Sequence, residues 1–194
     1  MYIPKKFSID DKQEIFSFVE SNSFGQLTSM VDEKLFVTHL PFVLSDDKSK
    51  LLMHVARQNP QHSSIEGQDC LVVLQGAHGY ISPSWYKDNG VPTWNYQAVH
   101  IYGKCKVFEE VEKLQCLVDK TTTQYESKFS DPWVSNYNTK MLNAIVGIEM
   151  TITDMQCKYK LSQNRSFEDR MNVINKLKNM GLDSLAKEMY KQER

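Results

Sequence analysis

The links between the first apolar runs are what most restrict the fold of this chain. Phe24 to Met30, Leu35 to Val43 and Lys50 to Ala56 each read as a strand, and the links are Val31-Asp32-Glu33-Lys34 and Ser45-Asp46-Asp47-Lys48-Ser49. A parallel connection needs a dozen or more residues, whereas these links have the length and composition of hairpin turns. The three runs therefore predict an antiparallel meander, and Cys70 to Gln75 supplies a fourth strand.

Downstream, Tyr96 to Phe108, Val146 to Thr153 and Cys157 to Leu161 continue the strand pattern. Helical spacing marks a helix after Ser8, where Ser8 and Asp11 form a capping pair and Ile15, Phe16 and Val19 share a face up to Asn22. Asn59-Pro60 predicts a short helix over 60–66, because Asn caps free N–H groups and Pro fits the first turn. Further helices are expected over 109–125 and 138–145. Near the C-terminus, Ser166 and Asp169 cap a helix that Gly181 ends, and Asp183-Ser184 starts a last one. Gly76 to Asn95, with Pro83, Gly90, Pro92, Trp85, Tyr86 and Trp94, reads as a long loop of the kind that carries function. Because βαβ alternation is missing, the expected fold class is mainly β with peripheral helices (α+β). Six to seven antiparallel strands would form a barrel, followed by a C-terminal helical hairpin.

Composition narrows the setting. A length of 194 residues suits one main domain. No segment approaches the roughly 20 apolar residues of a membrane helix, and the first residues lack a signal-peptide core, so the expectation is a cytoplasmic protein without a membrane partner. Cys70, Cys105, Cys116 and Cys157 lack metal-finger spacing and read as reduced core residues. The net charge is −1, yet residues 156–194 hold nine Lys/Arg against five Asp/Glu, which fits either a basic tail or a solvated helical surface.

The stretch His54-Val55-Ala56-Arg57-Gln58-Asn59-Pro60-Gln61-His62 places a guanidinium and a helix start at the end of a strand, the outline of a monophosphate site. An ordinary strand-to-helix turn with Arg57 in solvent is the alternative. On the neighbouring strand, His39 within Thr38-His39-Leu40-Pro41-Phe42 could flank the same ligand as His54, or be a structural histidine. The aromatic stretch Tyr80 to Tyr96 offers stacking faces for a planar cofactor or a hydrophobic dimer interface. No metal spacing links the five histidines. No nucleophile elbow, P-loop, dinucleotide fingerprint or zinc-protease helix occurs, so no catalytic or metal residue is assigned. Lys176 to Ser184 can be read as a helix-turn-helix corner or as a hairpin that packs on the barrel or a partner subunit.

THLPF at 38–42, HVARQNPQ at 54–61, ISPSWY at 81–86, VPTWNYQAVHIYG at 91–103 and KLSQNRS at 160–166, with the opening MYIPKKF, resemble the signature blocks of the PaiB family. The resemblance implies an FMN-binding split β-barrel related to the pyridoxamine-phosphate oxidase superfold, with the barrel over 1–161 and a helical extension over 162–194. It also implies a homodimer with FMN at the subunit interface, and a negative transcriptional regulator affecting sporulation and degradative-enzyme genes, with DNA or a regulatory protein as a candidate partner. By analogy, Thr38, His39, Leu40, His54, Val55 and Ala56 border the ring and ribityl chain, Arg57 and Asn59 hold the phosphate, and Trp94, Asn95 and Arg165 come from the partner subunit. The strand that often carries Arg and Lys toward flavin in the oxidases reads Leu35 to Leu40 here, which speaks against oxidase activity. An FMN-dependent oxidoreductase or haem-handling enzyme is the competing reading, since this fold hosts several functions.

Overall fold

Asp32 and Glu33 take φ values of +48° and +61°, the two left-handed residues that a tight hairpin turn requires. They join β2 (Phe24–Val31) to β3 (Lys34–Pro41), with Val31 opposite Lys34 and Phe24 opposite Pro41. The computed structural model describes residues 1–87 and 90–192. In chain order the remaining elements are β1 (Ser8–Ile9), α1 (Lys12–Ser21), β4 (Val43–Leu44), β5 (Lys50–Ala56), α2 (Gln61–Ser64), β6 (Asp69–Ile81), β7 (Thr93–Phe108), α3 (Val111–Glu126), β8 (Ile145–Lys160), α4 (Phe167–Asn179) and α5 (Asp183–Lys191).

The sheet runs in the order β3-β2-β6-β7-β8-β5-β4, and β1 pairs with β8. Every register is antiparallel: Gly25 faces Leu74 across β2 and β6, and Lys50 to Ala56 of β5 run against Thr151 to Ile145 of β8. The expected three-strand meander is therefore limited to the β2–β3 hairpin, since β5 pairs with β8 and β4 rather than with β3. Among the described residues eight strands thus stand where six to seven were expected, and β1 and β4 are only two residues long.

Two compact units share this chain. Met1–Ile15, Gln75–Val99 and Gln156–Arg194 form one, and Phe16–Leu74 with His100–Met155 form the other. In the second unit Leu27, Leu51, Met53, Val72, Ile101 and Ile148 have no or almost no exposed surface. In the first, Val173, Ile174 and Leu177 of α4 and Leu185, Ala186 and Met189 of α5 are buried at helical spacing.

Several boundaries differ from expectation for physical reasons. Asp11 takes the capping role at α1, accepting from Glu14 N at 2.9 Å, while Ser8 lies in β1 and bonds Asp10. At α4 the expected cap forms: Ser166 Oγ accepts from Asp169 N at 3.1 Å. The loop expected from Gly76 is strand as far as Ile81, because Gly79 meets Leu185 and Leu182 at a distance that suits a residue without a side chain. The strands expected at 146–153 and 157–161 are one strand, β8, and the helix expected over 138–145 is a 3₁₀ turn over Thr139–Ala144, capped by Asn138 Oδ1.

Candidate functional site

Strand alternation sorts the candidates of β3 and β5 before any ligand is considered. Leu40 and Val55 point into the core, so they can offer a ligand only backbone groups. Thr38 and His54 are half-buried, and His39 and Ala56 are exposed. β3 and β5 touch. Burial of His54 pushes its imidazole below the usual histidine range, which keeps the ring neutral near pH 7. His39 stacks on Phe24 with ring centroids 6.4 Å apart, and its Nε2 lies 3.2 Å from the Gln26 side-chain amide, whose N–H can donate to it.

Asn59 fastens the turn after β5 to β3. Its Nδ2 donates to Thr38 Oγ1 at 3.0 Å, and its Oδ1 accepts from Gln61 N at 3.0 Å. The helix that follows, α2, is a single turn. Gln61 is wholly buried beneath the β2–β3 hairpin, with Nε2 donating to Ser29 Oγ at 2.8 Å and approaching Leu27 O and Phe36 O. Its Oε1 is a buried side-chain atom with no partner. An unpaired buried acceptor carries a desolvation cost that a ligand N–H or a water would relieve.

Arg57 is anchored by the same end of the unit. Nη1 donates to Glu109 Oε2 at 2.7 Å, Nε to Asn143 O at 2.7 Å and Nη2 to Ile145 O at 3.2 Å. Guanidinium has five N–H donors, so two remain for an anion. Neither Glu109 nor Gln61 was among the sequence candidates. Gln61 lies inside the HVARQNPQ block, whereas nothing in the spacing pairs Glu109 with Arg57 across 52 residues.

Trp94, Asn95 and Arg165 belong to the other unit. Asn95 is 1% exposed, its Nδ2 donating to Ser162 Oγ at 2.9 Å, while Trp94 is 49% exposed. Arg165 lies over the Tyr86 ring, 4.2 Å from its centroid. The structure thus brings Thr38, Asn59 and the end of β5 together, and Trp94 and Asn95 are consecutive on β7. A groove of about 680 Å³ between β4 and α3, lined by Val43, Asp46, Cys116 and Lys120, contains none of the candidates. Among the described residues no group of three His, Cys, Asp or Glu could hold a metal ion, and no helix is long and apolar enough to cross a membrane.

The polar atoms this end of the unit leaves for a ligand are the unpaired Gln61 Oε1 and the two spare N–H groups of Arg57. Comparison with known proteins supplies the family. Residues 1–154 match the family model described as "Putative FMN-binding domain". The chain is 43% identical over 191 residues to "Protease synthase and sporulation protein PAI 2" of Bacillus subtilis (strain 168), covering 92% of this chain and 90% of that protein. An uncharacterised protein of Emericella nidulans is 31% identical over 215 residues, with 86% of each chain covered. Among solved structures, the flavocytochrome Anf3 from Azotobacter vinelandii superposes with a TM-score of 0.63 at 16% identity, covering 88% of this chain and 78% of that one, which supports the split-barrel fold alone. FMN is the cofactor that the family match assigns. This chain belongs to the FMN-binding split-barrel family that includes the PAI 2 sporulation protein of Bacillus subtilis.

Proposed function

We propose that the protein is a homodimeric, FMN-binding negative transcriptional regulator of the PaiB type, acting in the cytoplasm. The observation that carries this reading is the Asn59–Thr38 bond, which holds the HVARQNPQ segment against THLPF beside the neutral His54. In this reading Arg57 turns its spare N–H groups to the phosphate and Asn59 fixes the loop that receives it. Thr38, His39 and Leu40 with His54, Val55 and Ala56 border the ring and ribityl chain. FMN, when bound, supplies a ring that accepts one or two electrons.

A dimer is supported by the β2–β3 hairpin, where β3 is a sheet edge and Leu35 is 75% exposed beside exposed Phe24, Met30 and Val37. Exposed apolar edges of this kind are commonly covered by a partner. Trp94 and Arg165 are the residues such a partner would bring toward the flavin, while Asn95, buried under α5, would hold β7 in place beside them. Four free cysteines suit a reducing compartment. The regulator role extends the name carried by the Bacillus relative, and DNA or a regulatory protein would be the partner.

The test is a gel shift with promoter DNA of sporulation and protease genes, with and without FMN, together with sedimentation of the purified protein. A flavin-dependent shift by a dimer supports the reading. A monomer that retards no duplex at low salt, and leaves those genes unaffected when deleted, contradicts it. The exposed His39 and half-buried His54 favour a second reading, an FMN-dependent oxidoreductase or haem-handling protein. Stopped-flow mixing with NADH or NADPH separates the two, because flavin bleaching within seconds marks a reductase.

A further inference from the structure

In the unit formed by residues 1–15, 75–99 and 156–194, β6, β7 and β8 present two unlike faces. On one, Gly79 meets Leu182 and Leu185, Asn95 meets Met189, and Gln97 reaches Glu188, so this face is covered by α5 and the residue before it. Alternation turns His78 and Tyr80, Trp94 and Tyr96, and Lys158 and Lys160 to the opposite face. Side-chain contacts agree. The His78 and Trp94 rings stack with centroids 6.2 Å apart at 24°, Tyr80 is tilted against Trp94 at 6.1 Å, and Lys158 Nζ lies 5.2 Å from the Tyr96 ring.

This open face is aromatic and cationic. Tyr80 is 46% exposed and Trp94 nearly half exposed, and Lys160 Nζ donates to Trp94 O at 2.6 Å, which ties the ammonium to the β7 backbone. Lys158 is buried between the Tyr96 ring and the exposed Tyr2 ring, its Nζ donating to Tyr2 O at 3.1 Å, so it braces the face from beneath. Lys5 and Lys6 precede β1, the strand that pairs with β8. None of the six outward positions carries a carboxylate, whereas Glu188 lies on the α5 side. The whole unit holds thirteen Lys/Arg against nine Asp/Glu, a net +4, and the other unit holds ten against fifteen, a net −5.

We propose that the face bearing His78, Tyr80, Trp94 and Lys160 is a stacking platform for single-stranded nucleic acid. Half-exposed rings in a row offer successive bases a π-face without selecting among them, and Lys160 complements the phosphates. A small ring compound needs most of its surface enclosed, which a row of half-exposed rings on a sheet does not provide. A strand gains instead by adding one stacked base after another. The platform belongs to a different unit from the β3–β5 site and shares Trp94 with the proposed partner-side flavin contacts.

The test is fluorescence anisotropy of the FMN-saturated full-length protein with a labelled oligothymidylate about 12 nucleotides long, a length matched to one sheet platform. Micromolar-range binding is expected at low salt, with little binding of the matched duplex. Tyr80→Ala should weaken it by about tenfold, and Lys160→Gln should reduce the slope of log affinity against log salt by about 0.7. Tyr80 and Lys160 both touch Trp94, one of the proposed partner-side flavin contacts, so the flavin absorbance of each variant is read alongside. A variant that keeps FMN and loses the oligonucleotide separates the platform from the flavin reading, and one that loses both together overturns the proposal. No anisotropy change at low salt overturns the proposal. So does equal affinity for duplex, unchanged affinity in Tyr80→Ala, or a Tyr80→Ala variant that has lost a dimer present in wild type, which would assign the face to a second copy of the chain.

Discussion

Asn59 Nδ2 donates to Thr38 Oγ1 at 3.0 Å, and the other end of the same amide caps the one-turn helix by accepting from Gln61 N. One side chain thereby joins the end of β5 to β3, and Asn59→Ala removes both bonds. The expected cost is about 1 kcal/mol of stability, typical of a lost helix cap, with FMN affinity lowered by about tenfold. Urea unfolding and FMN titration calorimetry check the two effects. An unchanged affinity would detach Asn59 from the flavin site.

Arg57 divides its guanidinium between Glu109 and two carbonyls, so a phosphate and Glu109 would draw on the same charge. Arg57→Ala should weaken FMN binding by about tenfold or more, as expected for a charge-assisted contact. Glu109→Gln leaves the guanidinium without its competing carboxylate and should hold or tighten affinity. If both variants weaken binding alike, Arg57 acts through its bond to Glu109 and not on the phosphate.

His54 binds its proton less readily in the folded state, because burial disfavours the imidazolium. The unfolded chain therefore holds more protons on this group just below the ordinary histidine pKa. Its contribution to stability is fully present above that value and is lost as the pH falls toward and through the depressed folded pKa. His100, also lowered by burial, acts in the same direction. Chemical denaturation at pH 7.5 and pH 5.5 should show wild type losing stability in acid, and His54→Gln losing less. Identical losses would mean that His54 is solvated.

The thiols differ in access. Cys116 is exposed, while Cys70, Cys105 and Cys157 are buried. Burial pushes Cys157 up to about 12, and its contact with Cys70 together with burial raises Cys105. The thiolate is the reactive form, so native protein at pH 8 should label rapidly at Cys116 and at the other three only on unfolding. Mass spectrometry of a timed alkylation reads this directly. Fast labelling of Cys157 would show that its strand opens.

The antiparallel pairing of β2 with β3 was legible because their link is too short for any other connection, and Ser166 and Asp169 are a local signal that formed as read. The third strand of the expected meander was misplaced: β5 pairs with β8 and the two-residue β4, not with β3, because long-range partners outcompete the strand nearest in sequence. The continuation of β6 past Gly76 was not legible. Gly79 looks like a loop residue until Leu182 and Leu185, more than a hundred positions later, come to lie against it. At the site, Arg57 and Asn59 could be singled out because their chemistry is adjacent in the sequence. Glu109 could not, because only the fold brings it within 2.7 Å of Arg57. The outward alternation of Tyr80, Trp94 and Lys160 likewise appears only once the strands and α5 assign the inner face.

The account stands or falls on flavin binding at the β3–β5 end of the chain. FMN titrated into purified apoprotein, followed by quenching of flavin fluorescence, is the most direct test. Saturable one-to-one binding per subunit, weakened in both Arg57→Ala and Asn59→Ala, is the predicted result. A protein that leaves FMN fluorescence unchanged, or binds it with full affinity when both side chains are removed, contradicts the account.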